Sequence, residues 1–245
     1  MTNTQERVQT KSVAIGQTSI RMLVIAPHPD DETLGVGGTI ARFARAGGEV
    51  TVLTVAAHMP PLFSEEIHQQ TLSEARAAHA VMGVKESFFL DLPAVRLSNI
   101  TPVEFNGTFR DAVDQLKPHI LMIPYYDRHI DHRLIFDAVM VAARPMGSGR
   151  QIHMIAAYET LSETHWNAPH LEPNFTPNWT VDITDTIDTK LEAMTCYASQ
   201  LHLYPQPRSL EALKALALFR GSQAGFGYGE SFHIIRMTAA PEALS

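Results

Sequence analysis

The chain has 245 residues, 45% of them hydrophobic, a formal charge of −7 and one cysteine. That length and apolar content support one large buried core, with an elaborated end at most. The acidic balance and scattered lysines and arginines argue against a nucleic-acid partner, Cys196 alone excludes an intrachain disulfide framework or a cysteine-cluster metal site, and no run reaches the roughly 18 apolar residues of a membrane span.

Residues 1–17 are polar and lack a signal-peptide core, so they are expected as a loose N-terminal arm, pairing briefly at most around Ser12–Ile15. The folded domain is then expected over residues 18–245, in the cytoplasm. Residues 22–26 read as a first strand, ended by Pro27 and Pro29, which lack backbone donors. Gly35, Gly37 and Gly38 read as a close-packed turn into a helix over Thr39–Ala46, stopped by Gly47-Gly48. Val50–Ala56 is a β-branched run suited to a buried parallel strand. His58–Glu65 is a loop carrying Pro60-Pro61, placed to wall a site because it follows a strand end.

A helix over Ile67–Met82 capped by Gly83, a short strand over Ser87–Leu90, a helix over Val103–Leu116 and a strand over Ile120–Ile123 follow. Ile135–Ala143 reads as helix and Ile152–Tyr158 as strand. This alternation predicts a Rossmann-like three-layer α/β domain with a mostly parallel sheet. After Tyr158 the rhythm breaks. Residues 159–180 are long for a structureless connection and are expected as an ordered functional loop. An edge strand at Val181–Ile183 follows, then a helix from Thr186 to about Tyr197 capped by Thr184 or Asp185. Next come a helix over Glu211–Phe219 behind the cap Ser209 and a last strand over Phe232–Met237.

Two strand ends carry chemistry. The first strand runs out into His28-Pro29-Asp30-Asp31-Glu32, and Ile120–Ile123 into Tyr125-Tyr126-Asp127-Arg128-His129-Ile130-Asp131-His132. Open parallel sheets bind ligands at the carboxyl ends of their strands, and histidine with carboxylate suits a zinc site that keeps a position for water. The proposed ligands are His28, Asp31 and His132. Asp30, next to a ligand and unable to point the same way, is the candidate general base. His129 is the candidate for stabilising an oxyanion and protonating a leaving amine, and Asp131 for orienting or charge-stabilising a histidine. The set suits hydrolysis of an amide or ester at a single metal.

The plainer alternatives are a polar strand-end turn at His28–Glu32 and surface histidines at 129 and 132. A phosphate cradle at the glycines is disfavoured by its spacing and by the three acids before it. Substrate contacts are expected from Glu159, Arg76, Arg208 and Trp166, with Trp179 and His58 as further candidates.

These motifs resemble the PIG-L/LmbE family of zinc-dependent N-acetyl-sugar deacetylases. The resemblance is carried by Ala26-Pro27-His28-Pro29-Asp30-Asp31-Glu32 with its glycines and by His129-Ile130-Asp131-His132-Arg133. It extends through Glu74, Ala78, Met82-Gly83-Val84 and Tyr158-Glu159, over residues 20 to 236. It implies zinc on His28, Asp31 and His132, Asp30 as base, and His129 as acid or oxyanion stabiliser with Asp131 as its electrostatic partner. It further implies release of acetate from an N-acetylated sugar or sugar conjugate, and a homo-oligomer. Nitrogen and carboxylate ligands also suit Fe2+. Two positions depart from the family pattern: Thr71 stands where many members carry arginine, and Asp127 where some carry tyrosine. An amidase acting on a non-sugar amide, or a non-catalytic metal-binding protein, are the competing functions.

Overall fold

The computed structural model describes residues 19–239; the expected arm over residues 1–17 lies outside them. In chain order the elements are β1 (Arg21–Ala26), α1 (Asp31–Arg45), β2 (Glu49–Ala57), α2 (Glu65–Met82), β3 (Glu86–Pro93), α3 (Pro102–Leu116) and β4 (Ile120–Pro124). They continue with α4 (Ile130–Ala142), β5 (Met154–Tyr158), the short α5 (Leu161–Thr164), β6 (Trp179–Asp182), α6 (Ile187–Cys196), α7 (Leu210–Ala224) and β7 (Gly229–Met237). The strands form one sheet in the order β3-β2-β1-β4-β5-β7-β6. β1 to β5 are parallel, and β7 runs antiparallel to both β5 and β6.

Successive side chains of a strand face opposite sides, and β1 shows both being used. Met22, Val24 and Ala26 join the core under α1, α2 and α6. Leu23 and Ile25 join the core under α3 and α4, with Phe105, Phe109 and Val139. The result is the expected three layers. Among the described residues, no helix is long and apolar enough to cross a membrane.

Chain order reverses between β1 and β4, and there the sheet opens. Their register covers only Met22–Val24 against Ile120–Met122, whereas β1 follows β2 to Ala26 and β4 follows β5 to Pro124. The Ile25 carbonyl, left at the fork, accepts the Tyr158 hydroxyl at 2.8 Å. The crevice above is the topological switch point of a doubly wound sheet.

Two helices start earlier than their apolar spacing suggests. α1 begins at Asp31, so the glycines lie inside it rather than in a turn. A Cβ at Gly35 would come within 2.2 Å of the Tyr158 ring, and one at Gly38 within 2.8 Å of Ile183; the glycines let the helix pack hard against its neighbours. α4 begins at Ile130, which puts His132 in its first turn. Both starts are polar, so apolar periodicity misses them. Neither Thr184 nor Asp185 caps α6, whose cap position is Thr186. Ser209 caps α7 as expected, its Oγ accepting from the Ala212 N–H.

A buried ion pair is inserted against the middle of α1. Glu230 of β7 accepts from the N–H groups of Gly38 (2.9 Å) and Thr39 (2.7 Å). Lys190 of α6 donates to the Leu34 carbonyl at 2.8 Å and to Glu230 at 2.6 Å. The C-terminal elaboration thereby grips the helix that begins with Asp31. The long loop after β5 is ordered: Arg128 pairs with Glu163 at 2.5 Å, Arg133 with Glu172 at 2.5 Å, and the Tyr125 hydroxyl donates to the Asn174 carbonyl at 2.9 Å.

Candidate metal centre

The turn after β1 folds back on itself. Asp30 adopts φ 108°, a left-handed setting that is costly for a residue with a Cβ. The Asp31 carboxylate Oδ2 accepts the His28 N–H at 3.0 Å. The same oxygen lies 3.2 Å from His28 Nδ1 and 3.3 Å from His132 Nε2. Donors about 2.0–2.1 Å from a tetrahedral ion stand about 3.3 Å apart. These two separations therefore match two edges of a metal tetrahedron.

The outer nitrogens of both histidines are engaged. His28 Nε2 meets Asp131 Oδ2 at 3.0 Å, and that oxygen also accepts the Val95 N–H at 2.7 Å. His132 Nδ1 meets Asp127 Oδ2 at 3.0 Å, which in turn accepts the Thr164 hydroxyl at 3.0 Å. A carboxylate behind each imidazole fixes ring orientation and tautomer, turning His28 Nδ1 and His132 Nε2 inward. Asp131 thus holds His28 through its Oδ2, because α4 points its carboxylate back across the crevice toward β1 and the loop after β3, and its charge also acts on His129.

His129 is the N-cap of α4, its Nδ1 accepting the Asp131 N–H at 3.2 Å. A backbone N–H only donates, so Nδ1 carries the lone pair and Nε2 the proton. Its ring stands edge-on to His28, 4.6 Å between centroids. Donor nitrogens of His28, His129 and His132 all lie within 4.8 Å of one another. Two overlapping donor sets are thus present, sharing His28 and His132. Asp31 is the better third donor, since it stands at tetrahedral-edge distance from both while His129 is engaged as a cap. A buried, histidine-rich cluster able to hold a divalent metal is present on either count.

Unpartnered atoms converge on the same place. Asp31 Oδ1, His132 Nε2 and both carboxylate oxygens of Asp30 are buried without a hydrogen bond, an arrangement that is expensive unless the groups serve a ligand. Their electrostatics agree. Burial opposes charge on His132, but Asp31 and Asp127 outweigh it and push its pKa up to about 10. Burial likewise opposes charge on His28, and Asp131 with Asp31 raises its pKa. Asp31 is held well below the usual carboxylate range against its burial, chiefly by His132. Burial raises Asp30 to about 8, with Arg208 pulling the other way. His129 falls to about 4 through burial and the neighbouring His28 and His132. The crevice demands positive charge, which protons on imidazole supply in the protein alone and a dication supplies better.

The other candidate residues are placed as follows. Arg208 lies against Asp30, Nη1 to Oδ2 3.3 Å. Glu159 is buried with its carboxylate taken by Arg220 (2.8 and 2.6 Å) and His165 (2.9 Å). Trp166 is 60% exposed on the loop after α5. Arg76 lies on the exposed side of α2, its guanidinium over the Phe89 ring of β3, and is not among the groups drawn to the cluster. His58, at the end of β2, stacks 6.3 Å from His28 and packs on Phe63. The support given by Asp127, Thr164 and the Val95 N–H was not anticipated. Asp127 alone left a signal, an acid two residues ahead of a helix-capping histidine; it accepts the His129 N–H at 3.0 Å.

The chain has a Rossmann-like sheet with a histidine-rich crevice at its switch point that could hold a divalent metal. The family model described as "PIG-L: GlcNAc-PI de-N-acetylase" matches residues 23–143, which include every member of the cluster. Over that segment the chain is similar to the PIG-L family. It is 26% identical over 228 residues to a diacetylchitobiose deacetylase of Thermococcus kodakarensis, covering 88% of this chain and 83% of that protein. It is 26% identical over 247 residues to a 1D-myo-inositol 2-acetamido-2-deoxy-alpha-D-glucopyranoside deacetylase of a Mycobacterium species, covering 81% and 80%. A conserved protein of Thermus thermophilus has the same fold, with TM-score 0.72, 26% identity, and coverage of 90% of this chain and 97% of that one.

Proposed function

We propose that this chain is a zinc-dependent hydrolase that removes the N-acetyl group of an amino sugar or sugar conjugate. One observation carries the reading: a buried Asp30 carboxylate that accepts no hydrogen bond stands beside Asp31, whose Oδ2 lies at tetrahedral-edge distance from His28 and from His132. Both curated relatives above are deacetylases whose names specify acetylated sugars, which supports the substrate class.

His28, Asp31 and His132 would hold the ion. When bound, a divalent metal acidifies water and polarises a carbonyl. Asp30 accepts a proton from the attacking water, and a nearby cation favours its charged form. The water oxygen adds to the acetyl carbon. The Nε2–H of His129, fixed in its tautomer by the cap bond at Nδ1, donates to the oxyanion that develops there. As the C–N bond breaks, Asp30 passes that proton to the leaving nitrogen, giving a free amine and acetate; His129, its Nδ1 occupied by the cap bond, serves the oxyanion rather than acting as the acid. Asp131 and Asp127 keep His28 and His132 turned inward. Trp166 is the proposed face for stacking a sugar, whereas Glu159, buried and taken by Arg220 and His165, is not offered to its hydroxyls.

The test is acetate release by metal-stripped protein, with and without added Zn2+. The panel holds N-acetylglucosamine, its oligomers, nucleotide-linked forms and non-sugar amides. Zinc-dependent release from one sugar class, lost by at least 100-fold in Asp30→Asn with metal retained, is expected for a general base. Cleavage of non-sugar amides alone would remove the sugar assignment. Full activity in Asp30→Asn would remove the mechanism.

A further inference from the structure

We propose that Arg208 is the positioning residue for the Asp30 carboxylate, and not a subsite for an anionic group of the substrate; this rests on Asp30 being the base. Asp30 is fully buried, and neither of its oxygens accepts a hydrogen bond. Its neighbour Asp31 is oriented by the His28 N–H, but nothing comparable holds Asp30. Among the described residues its ion-pair partner is Arg208, with Nη1 3.3 Å from Oδ2. A base whose carboxylate swings loses the geometry that proton transfer needs.

Arg208 is itself fixed from several sides. Its Nε donates to Ser162 Oγ at 3.1 Å and its Nη1 to Gln200 Oε1 at 3.2 Å. Its carbonyl accepts the His202 N–H at 2.8 Å, and the next residue, Ser209, caps α7. Its side chain is 21% exposed. A planar guanidinium held in this way presents one edge in one direction, which an ammonium on a flexible stem cannot do.

Its donors argue against a substrate anion. Nε is taken by Ser162 and Nη1 by Gln200 and Asp30, so neither paired edge of the guanidinium is free to take a phosphate or carboxylate bidentately. Arg208 also stands outside residues 23–143, so the C-terminal elaboration reaches a crevice whose proposed metal donors and base lie in the family-matched segment.

The test compares Arg208→Ala and Arg208→Lys with the parent protein on the substrate found in the acetate-release panel. Expected for Arg208→Ala is a kcat lower by roughly 10–100-fold, KM within about threefold, and unchanged zinc affinity by chelator competition. Free guanidinium ion should restore part of kcat saturably, and Arg208→Lys should recover less than tenfold. A crystal structure of zinc-loaded Arg208→Ala should show the Asp30 carboxylate displaced or in several rotamers. A KM raised tenfold with kcat kept would make Arg208 a substrate contact and overturn the proposal. So would an undisturbed Asp30 in that crystal structure, which needs no turnover. An inactive parent protein would instead count against the hydrolase reading, leaving the crystallographic result to judge Arg208.

Discussion

Glu230→Ala is expected to destabilise the protein more than most single substitutions, and the size of the loss follows from what Glu230 holds. Its carboxylate takes two N–H groups of α1 and the Lys190 ammonium, all buried. Breaking a buried pair by removing one partner costs about 3–5 kcal/mol, and each orphaned buried donor adds about 1–3 kcal/mol. These terms share atoms and do not sum, so a loss of about 5 kcal/mol is expected, or a Tm lower by roughly 10–20 °C for a chain of this size. The decisive variant is Lys190→Met with Glu230→Leu. An ordinary buried ion pair replaced by apolar side chains is often neutral or better. Here the Leu34 carbonyl and the Gly38 and Thr39 N–H groups would lose their side-chain partners, so about 2–4 kcal/mol should remain lost. Urea and thermal unfolding followed by circular dichroism, with chelator present so that metal linkage does not mask the change, measure both. A double variant as stable as the parent would refute the reasoning, because the pair would then be satisfying only itself.

Asp127→Asn should weaken zinc binding by about 10–100-fold, by chelator competition, because it removes the charge behind His132 Nδ1 and leaves one oxygen to serve both His132 and the His129 N–H; unchanged affinity would show that His132 needs no such support. Zinc binding at pH 7 should release at least one proton, since His132, with its pKa pushed up to about 10, is protonated in the metal-free protein. That proton stabilises the metal-free fold fully below the unfolded pKa of about 6.5, and the contribution is lost as pH rises through about 10. Apparent zinc affinity should therefore rise about tenfold per pH unit between pH 7 and 8, and calorimetry in buffers of different ionisation heat should show the release; none would contradict the assignment. Val95 sits at φ 56° and is 50% exposed, a strained setting for a β-branched residue. Val95→Gly should relieve that strain, keep the N–H donated to Asp131, and raise stability by about 0.5–1 kcal/mol after the entropic cost of glycine. A lower Tm would show that the Val95 side chain matters more than its backbone setting.

The sheet was legible because its strands are short apolar runs bounded by proline, glycine or charge, and such runs in alternation with helices leave few topologies open. The reach of α1 and α4 was not. Their first turns carry Asp31, Glu32, Asp131 and His132, residues chosen for chemistry, and polar starts hide from apolar periodicity. The candidate cluster was legible because β1 and β4 each run out into a short stretch dense in histidine and aspartate. What stands behind it was hidden for a different reason. The Val95 N–H, Thr164 at the end of α5 and the Asp30 contact of Arg208 reach the crevice from three separate parts of the chain, and such distant contacts leave little trace in one chain's spacing. The same limit explains Arg76, whose charge suited a pocket but whose place on α2 turns it to the outer surface.

The fork between β1 and β4 gives the metal a second consequence. The ladder stops at Val24 and Met122, and the proposed donors stand on the two prongs beyond it, His28 and Asp31 on one and His132 on the other. His28 and Asp131 are 103 positions apart in the chain. An ion shared across that gap would act as a rivet through a seam that backbone hydrogen bonding leaves unstitched. Prising the two halves of the sheet apart from that end would then mean extracting the ion first. Protection of the Ile25 and Ile123 amides against hydrogen exchange should accordingly rise on metal loading more than that of β3, at the sheet's far edge.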